Sequence, residues 1–199
     1  MQTPRQKEIV QAALELISEK GIQGFTIKNL SKEIGISEPA IYRHFESKVH
    51  ILIAILDVFK QNTEGMFKQE LERDLPAMER ISILFTRNFE VFSQSPSLVP
   101  VIFSEELFRG ESGLIGKVYE IIGRNLNTLI QIIKEGQSNN EIRNDVEASQ
   151  LAVIIMGSLR LFVKKWQYSD YSFDIKKEGK KLIKSLKRLI HKGILTDDE

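Results

Sequence analysis

The sequence predicts an all-α protein: a small N-terminal helical unit followed by a larger helical bundle. Three observations carry that expectation. Apolar residues recur at three- and four-residue spacing along most of the 199-residue chain. No segment alternates with period two, so no sheet is expected. Near the N-terminus, two short helical segments sit back to back around Gly35, each with a capping residue ahead of it.

The paired segments run from Phe25 to Phe45. Thr26 is placed to cap the first, its hydroxyl accepting from an orphan backbone N–H one turn on. Phe25 and Leu30 then occupy the two positions of a hydrophobic staple. Gly35 suits the left-handed position that stops a helix, having no Cβ to clash. Ser37 is placed to cap the second segment, Ile36 and Ile41 repeat the staple, and Pro39 falls in the first turn, where a missing N–H costs nothing. Leu30, Ile34, Ile36, Ile41 and Phe45 are left as an inward set, and Lys28, Lys32, Glu38, Tyr42, Arg43 and His44 as an outward one. Two capped helices, a glycine turn and a shared core make a helix-turn-helix.

The outward residues suit a nucleic-acid surface. Arg43 has the fork of donors that fits a guanine edge or a phosphate. Tyr42, His44 and Lys48 are phosphate-contact types, and the amides at the Ser37 end are placed to meet anions. The competing reading is an ordinary helical hairpin with a solvated face.

The run from Arg5 through Lys48 resembles the N-terminal DNA-binding domain of the TetR family of repressors. The likeness lies in Ile9-Val10-Gln11-Ala12-Ala13 and Leu16-Ile17, in Gly21, Gly24 and Phe25-Thr26, in Leu30 through Ser37, and in Ala40-Ile41-Tyr42-Arg43-His44-Phe45-Glu46-Ser47-Lys48. It covers about the first quarter of the chain. Ser31 stands where the family usually has alanine, and His50 where an acidic residue often completes the next helix's cap. The DNA contacts expected are Thr26, Lys28, Ser37, Glu38, Pro39, Ala40, Tyr42, Arg43, His44 and Lys48. The domains expected are residues 1–47 for DNA binding and 48–199 for effector binding and dimerisation.

Composition bounds the alternatives. Hydrophobic content of 42% and charged content of 28% are those of an ordinary globular protein. The absence of cysteine excludes disulfides and thiolate sites and fits a cytoplasmic protein. There is neither a bilayer-spanning apolar run nor a signal-peptide pattern, so no membrane association is expected. A net charge of +1 argues against promiscuous high-affinity binding of nucleic acid and leaves room for a small specific site. The three histidines, His44, His50 and His191, lack metal-ligand spacing, and there is no phosphate loop or nucleophile elbow. Hence neither catalysis, a metal nor a cofactor is expected.

In chain order, Arg5 to Lys20 reads as a helix ended by Gly21. Ser47 caps a longer one carrying Val49, Leu52, Ile53, Leu56 and Phe59, which leaves the DNA-binding unit and serves as a lever. Ile81, Leu84, Phe85, Phe89 and Phe92 form a stripe closed by Ser95-Pro96-Ser97. Val101 to Arg109 and Leu114 to about Ser138 follow, then a break at Asn139-Asn140, with Asp145 placed to start the next helix. That helix, to about Tyr168, is apolar nearly all round and must be covered on every side, in part by a second subunit. The last runs from about Phe173 to Lys192, dense in lysine on one face and stopped by Gly193. The lysines read most simply as a solvated face, with a second nucleic-acid surface as the alternative.

For the second domain the family resemblance implies a helical module that dimerises through its last two long helices and binds a small molecule. Ile154, Ser158, Leu161, Gly179, Leu182, Leu186 and Leu189 are the expected dimer contacts. Phe85, Phe89, Phe92, Phe103, Met156, Leu159, Arg160, Val163 and Trp166 are the candidates for a pocket wall, against the alternative of a filled core. A dimer also meets a physical need, because two recognition helices must stand about one DNA turn apart, roughly 34–36 Å, to read a palindrome. The expected protein is a dimeric transcriptional repressor, released from double-stranded operator DNA by an apolar or amphipathic effector. The alternative is a TetR-like adaptor that acts by gripping another protein.

Overall fold

A computed structural model describes residues 2–103 and 112–193. Its helices are α1 (Pro4–Gly24), α2 (Ile27–Ile34), α3 (Glu38–Tyr42), α4 (Lys48–Leu71), α5 (Ala77–Gln94), α6 (Leu98–Ile102), α7 (Ser112–Ser138), α8 (Ala148–Tyr168) and α9 (Ile175–Ile190). Among the described residues the only β contact is an isolated antiparallel bridge between Ile142 and His191. The all-α expectation holds. The expected Val101–Arg109 helix lies mostly outside the described residues; its first two residues, Val101 and Ile102, are the end of α6.

The chain divides into two compact units, residues 1–61 with 95–120, and residues 62–94 with 121–199. The boundary expected after Ser47 falls inside the first. In that unit α1 packs on α2, α2 on α3, and α6 on α1. Ile9, Ala13, Leu16 and Ile17 of α1 are buried, as are Phe25, Leu30, Ile41, Phe45, Ile51 and Ile55. The expected inward set is therefore only partly right: Ile34 and Ile36 are half-buried.

In the second unit α9 packs on α5 and α8, and α5 on α8. Phe85 meets Phe89 edge-on at 6.0 Å, Phe89 meets Phe162 at 5.4 Å, and Phe162 meets Phe173 at 5.7 Å. The same unit buries a polar group that periodicity does not announce. Glu70 is fully buried, with Arg73 Nε 3.2 Å from one carboxylate oxygen and Arg87 Nη1 3.4 Å from the other. A buried carboxylate is tolerable only with such partners.

Three helix ends differ from expectation. α1 begins earlier, because Thr3 and Gln6 form a reciprocal capping box around Pro4, and a break at Gly21 (φ 67°) does not prevent a further turn to Gly24. Asp145 does not start α8; its carboxylate is held by Arg143, which keeps it below the usual carboxylate range, and Glu147 takes the cap position. α9 ends at an extended His191, so Gly193 is not its stop. Its N-cap is Asp174, whose carboxylate accepts from the Lys176 and Lys177 amides, bonds that lower its pKa.

Two helical glycines separate packing from propensity. A Cβ on Gly179 would lie 2.4 Å from Phe89 Cε2, a buried ring with no room to retreat, whereas a Cβ on Gly123 meets nothing within 4 Å. Gly179→Ala is expected to destabilise the protein by about 1–3 kcal/mol through overpacking. Gly123→Ala should be neutral or stabilising by up to about 1 kcal/mol. Chemical denaturation of both variants checks this, and equal effects would contradict the packing described.

Candidate nucleic-acid interface

The interface is built from the caps upward. Thr26 Oγ1 accepts from the Asn29 amide at 3.1 Å, and the Leu30 amide donates to the Thr26 carbonyl at 2.9 Å, which starts α2 as the sequence predicts. Gly35 closes α2 in the left-handed region (φ 73°, ψ 31°), a conformation disfavoured for residues with a Cβ. Ser31 is buried without penalty, its hydroxyl donating to the Lys28 carbonyl at 2.9 Å.

At α3 the expectation needs correcting. Ser37 occupies the cap position, but its side chain makes no capping hydrogen bond; only its carbonyl is used, by the Ala40 amide at 2.9 Å and the Ile41 amide at 3.3 Å. The Ser37 hydroxyl is thus not spent on the helix. α3 is a single five-residue turn, so any attraction for phosphate would have to come mostly from side chains rather than from a helix dipole. Ile41 is fully buried, and that one anchor leaves Glu38, Pro39, Tyr42 and Arg43 in solvent, with Ala40 and His44 half-buried. Tyr42 is 48% exposed, unusual for an aromatic ring on a segment this short. Thr26 and Lys28 of the preceding helix are also exposed.

Lys48 is less free than the sequence suggests. Its ammonium lies 5.2 Å from the centroid of the buried Phe25 ring, and partial burial lowers its pKa. The His50 substitution has a structural answer. Its Nδ1 sits 3.0 Å from Ser47 Oγ and its Nε2 lies 3.6 Å from Glu46, so the imidazole is held by side chains at the start of α4.

Sequence reasoning missed Gln6. Its Oε1 accepts from the Thr3 amide at 3.0 Å, while its Nε2 donates to the His44 carbonyl at 3.1 Å. One side chain thus caps α1 and ties it to the end of the recognition segment. The signal was present as Thr3-x-x-Gln6, the capping-box spacing.

The expected pocket residues are placed as follows. Phe85, Phe89, Phe92, Leu159, Val163 and Trp166 are buried, Met156 and Phe103 are half-buried, and Arg160 is exposed. Phe103 belongs to the first unit and the others to the second. Trp166 is committed to the fold, its indole N–H donating to the Phe173 carbonyl at 2.9 Å and its ring 4.7 Å from Tyr171. Phe89 also lines an open groove of about 400 Å³ with Thr86, Glu90, Asp174, Lys176, Lys177, Lys180 and Ile183.

The expected dimer residues divide. Gly179 and Leu186 are buried within their own chain, Gly179 against Phe89, so neither is available to a partner. Ser158 and Leu182 are half-buried. Ile154 (55%), Leu161 (70%) and Leu189 (63%) are exposed, together with Val153 (55%). A Cβ on Gly157, between them on α8, would meet nothing within 4 Å.

Among the described residues no helix is long and apolar enough to cross a membrane.

Comparison with known proteins agrees with this geometry. The family model described as "Bacterial regulatory proteins, tetR family" matches residues 9–55, and that described as "YsiA-like protein, C-terminal region" matches residues 58–193. The fatty acid metabolism regulator protein of Bacillus subtilis is 27% identical over 176 residues, 86% of this chain and 88% of its own. The nucleoid occlusion factor SlmA of Vibrio campbellii is 24% identical over 172 residues, 86% of this chain and 88% of its own. Among solved structures, the transcriptional regulator FadR from Bacillus subtilis in complex with stearoyl-CoA superimposes with a TM-score of 0.79 at 23% identity, over 93% of this chain and 99% of that one. The fatty acid degradation regulator FadR from Bacillus halodurans gives 0.82 at 21% identity, over 94% and 96%.

The two caps predict different mutational costs. Thr26→Ala removes a side-chain cap and should cost about 1 kcal/mol of stability. Ser37→Ala removes none and should stay within about 0.5 kcal/mol. Denaturant midpoints of the two variants check this; equal losses would mean that Ser37 caps α3 after all.

Proposed function

The chain belongs to the TetR family of bacterial regulatory proteins, and on that premise we propose that it is a dimeric cytosolic repressor, released from a palindromic operator by a fatty-acid-derived ligand. The observation that carries the DNA reading is the exposed Glu38–His44 edge, held out by buried Ile41 and Phe45. In this reading Arg43 pairs with a base edge. Tyr42, His44, Lys28 and the hydroxyls of Thr26 and Ser37 contact the backbone, Pro39 and Ala40 let the turn approach it closely, and Lys48 adds charge at the rim.

The dimer is supported by what α8 and α9 leave uncovered. Val153, Ile154, Leu161 and Leu189 are exposed apolar side chains, and bare Gly157 permits close approach of a second helix. A second copy of the same surface satisfies it by two-fold symmetry.

The ligand class is supported by the relatives, one named a fatty acid metabolism regulator and another solved with stearoyl-CoA. An acyl chain entering the second unit would part the Phe85–Phe89–Phe162–Phe173 rings, replacing one set of apolar contacts by another. Release is then linkage: ligand and operator favour different conformations, and each weakens the other's binding by one factor. α4, one uninterrupted helix from Lys48 to Leu71, is one of three places where the chain passes between the units, the others being the segment after α5 and the helix α7.

A second reading has one specific support, the likeness to a nucleoid occlusion factor. There the chain would act through contacts with another protein, and DNA sequence would matter less.

Arg43→Ala separates the two. The repressor reading expects loss of at least about 1–3 kcal/mol of operator affinity with the fold intact; an adaptor keeps its activity. Leu161→Glu is expected to give a monomer by light scattering, with operator affinity lost alongside. Saturating stearoyl-CoA should weaken operator binding about 5–150-fold, and unchanged affinity would remove the acyl ligand from this account.

A further inference from the structure

The surplus positive charge of this chain is not where it reads DNA. Residues 1–47 carry six bases and six acids. The sixteen residues of α9 carry six lysines and Arg188 against Glu178 alone, a surplus of six. With a net charge of +1 for the whole chain, the other 183 residues carry a deficit of five.

The geometry of that charge is regular. Lys176, Lys180, Lys184 and Arg188 follow one another at four-residue spacing, and all four are exposed. A helix rises about 1.5 Å per residue, so the row sets a cation about every 6 Å over roughly 18 Å. Lys181 is paired with Glu178 at 2.8 Å. Among the described residues, Lys180 and Lys184 have no carboxylate at ion-pair distance.

We infer that this face of α9 is a second, sequence-independent contact for the phosphate backbone of duplex nucleic acid. A membrane fits less well, because a surface-bound helix must bury its apolar side in lipid. Here Ile175, Gly179, Leu186 and Ile190 are already buried within the second unit. A protein partner fits less well too, because protein interfaces are depleted in lysine and enriched in aromatic residues, and the row contains no aromatic residue. Lysine is a point charge on a flexible stem, suited to phosphates whose positions vary with sequence. The row also stays clear of the proposed dimer contact: at about 100° per residue, Leu182 and Leu189 point nearly opposite to Lys180 and Lys184. The inference rests on the DNA-regulator reading only in making nucleic acid the polyanion at hand.

The test uses the full chain, a duplex of about 30 base pairs with random sequence, and a salt series. Lys176→Gln/Lys180→Gln/Lys184→Gln should lower the slope of log affinity against log salt by about 2 to 3, since each lost phosphate contact removes about 0.9. Lys→Arg at the same three positions should retain the slope. The three-lysine difference should persist in an Arg43→Ala background, which separates this surface from the recognition segment. If the triple variant unfolds, Lys184→Gln alone must still lower the slope by about one. An unchanged slope overturns the inference, as does binding to phosphatidylglycerol vesicles but not to duplex. Failure of the repressor reading looks different: wild-type protein would then show no preference among duplexes at any salt.

Discussion

A helix of one turn cannot persist in water by itself, because its few hydrogen bonds do not repay the ordering of its backbone. α3 is five residues long and yet carries the edge proposed for recognition. It exists because Ile41 and Phe45 are buried in the same small core as Phe25 and Leu30, and because Gln6 holds the carbonyl at its end. The constraint acts on both faces. The inner residues must be apolar and fitted, which frees Tyr42 and Arg43 to be chosen for what lies outside. Specific chemistry is thus carried by a segment whose position is set by its neighbours.

Legibility in the sequence followed the range of the interaction. The turn at Gly35, the Thr26 cap and the buried pair Leu30 and Ile41 are decided within a few residues, and local pattern revealed them. The Ser37 hydroxyl was misjudged because a residue in the cap position need not use its side chain when its carbonyl suffices. Asp145 was misjudged because a nearby guanidinium competes for its carboxylate. Glu70 was invisible: its burial depends on Arg73 and Arg87, and no periodicity announces that partnership. Gly179 shows the same limit from the other side. Expected at the dimer contact, it instead admits the ring of Phe89 of the same chain.

The second unit has two surface properties that its own core does not need. α8 leaves Val153, Ile154 and Leu161 in water, a cost that makes sense if another surface covers them. α9 gathers most of its lysines on the side away from its buried residues. Neither property is required to fold a single copy. Both read as provisions for assembly, the first with a like surface and the second with a polyanion. In the interior Phe85, Phe89, Phe162 and Phe173 pack on one another.

The central claim is that the edge Glu38–His44, presented by a small buried core, reads duplex DNA as one half of a symmetric pair. Sequencing the fragments that the wild-type protein enriches from a random duplex pool tests it directly. The account predicts an inverted repeat with half-sites about one helical turn apart, degenerate at one position of each half when Arg43 is replaced by alanine. Enrichment of no sequence, or of a repeat indifferent to Arg43, would contradict it.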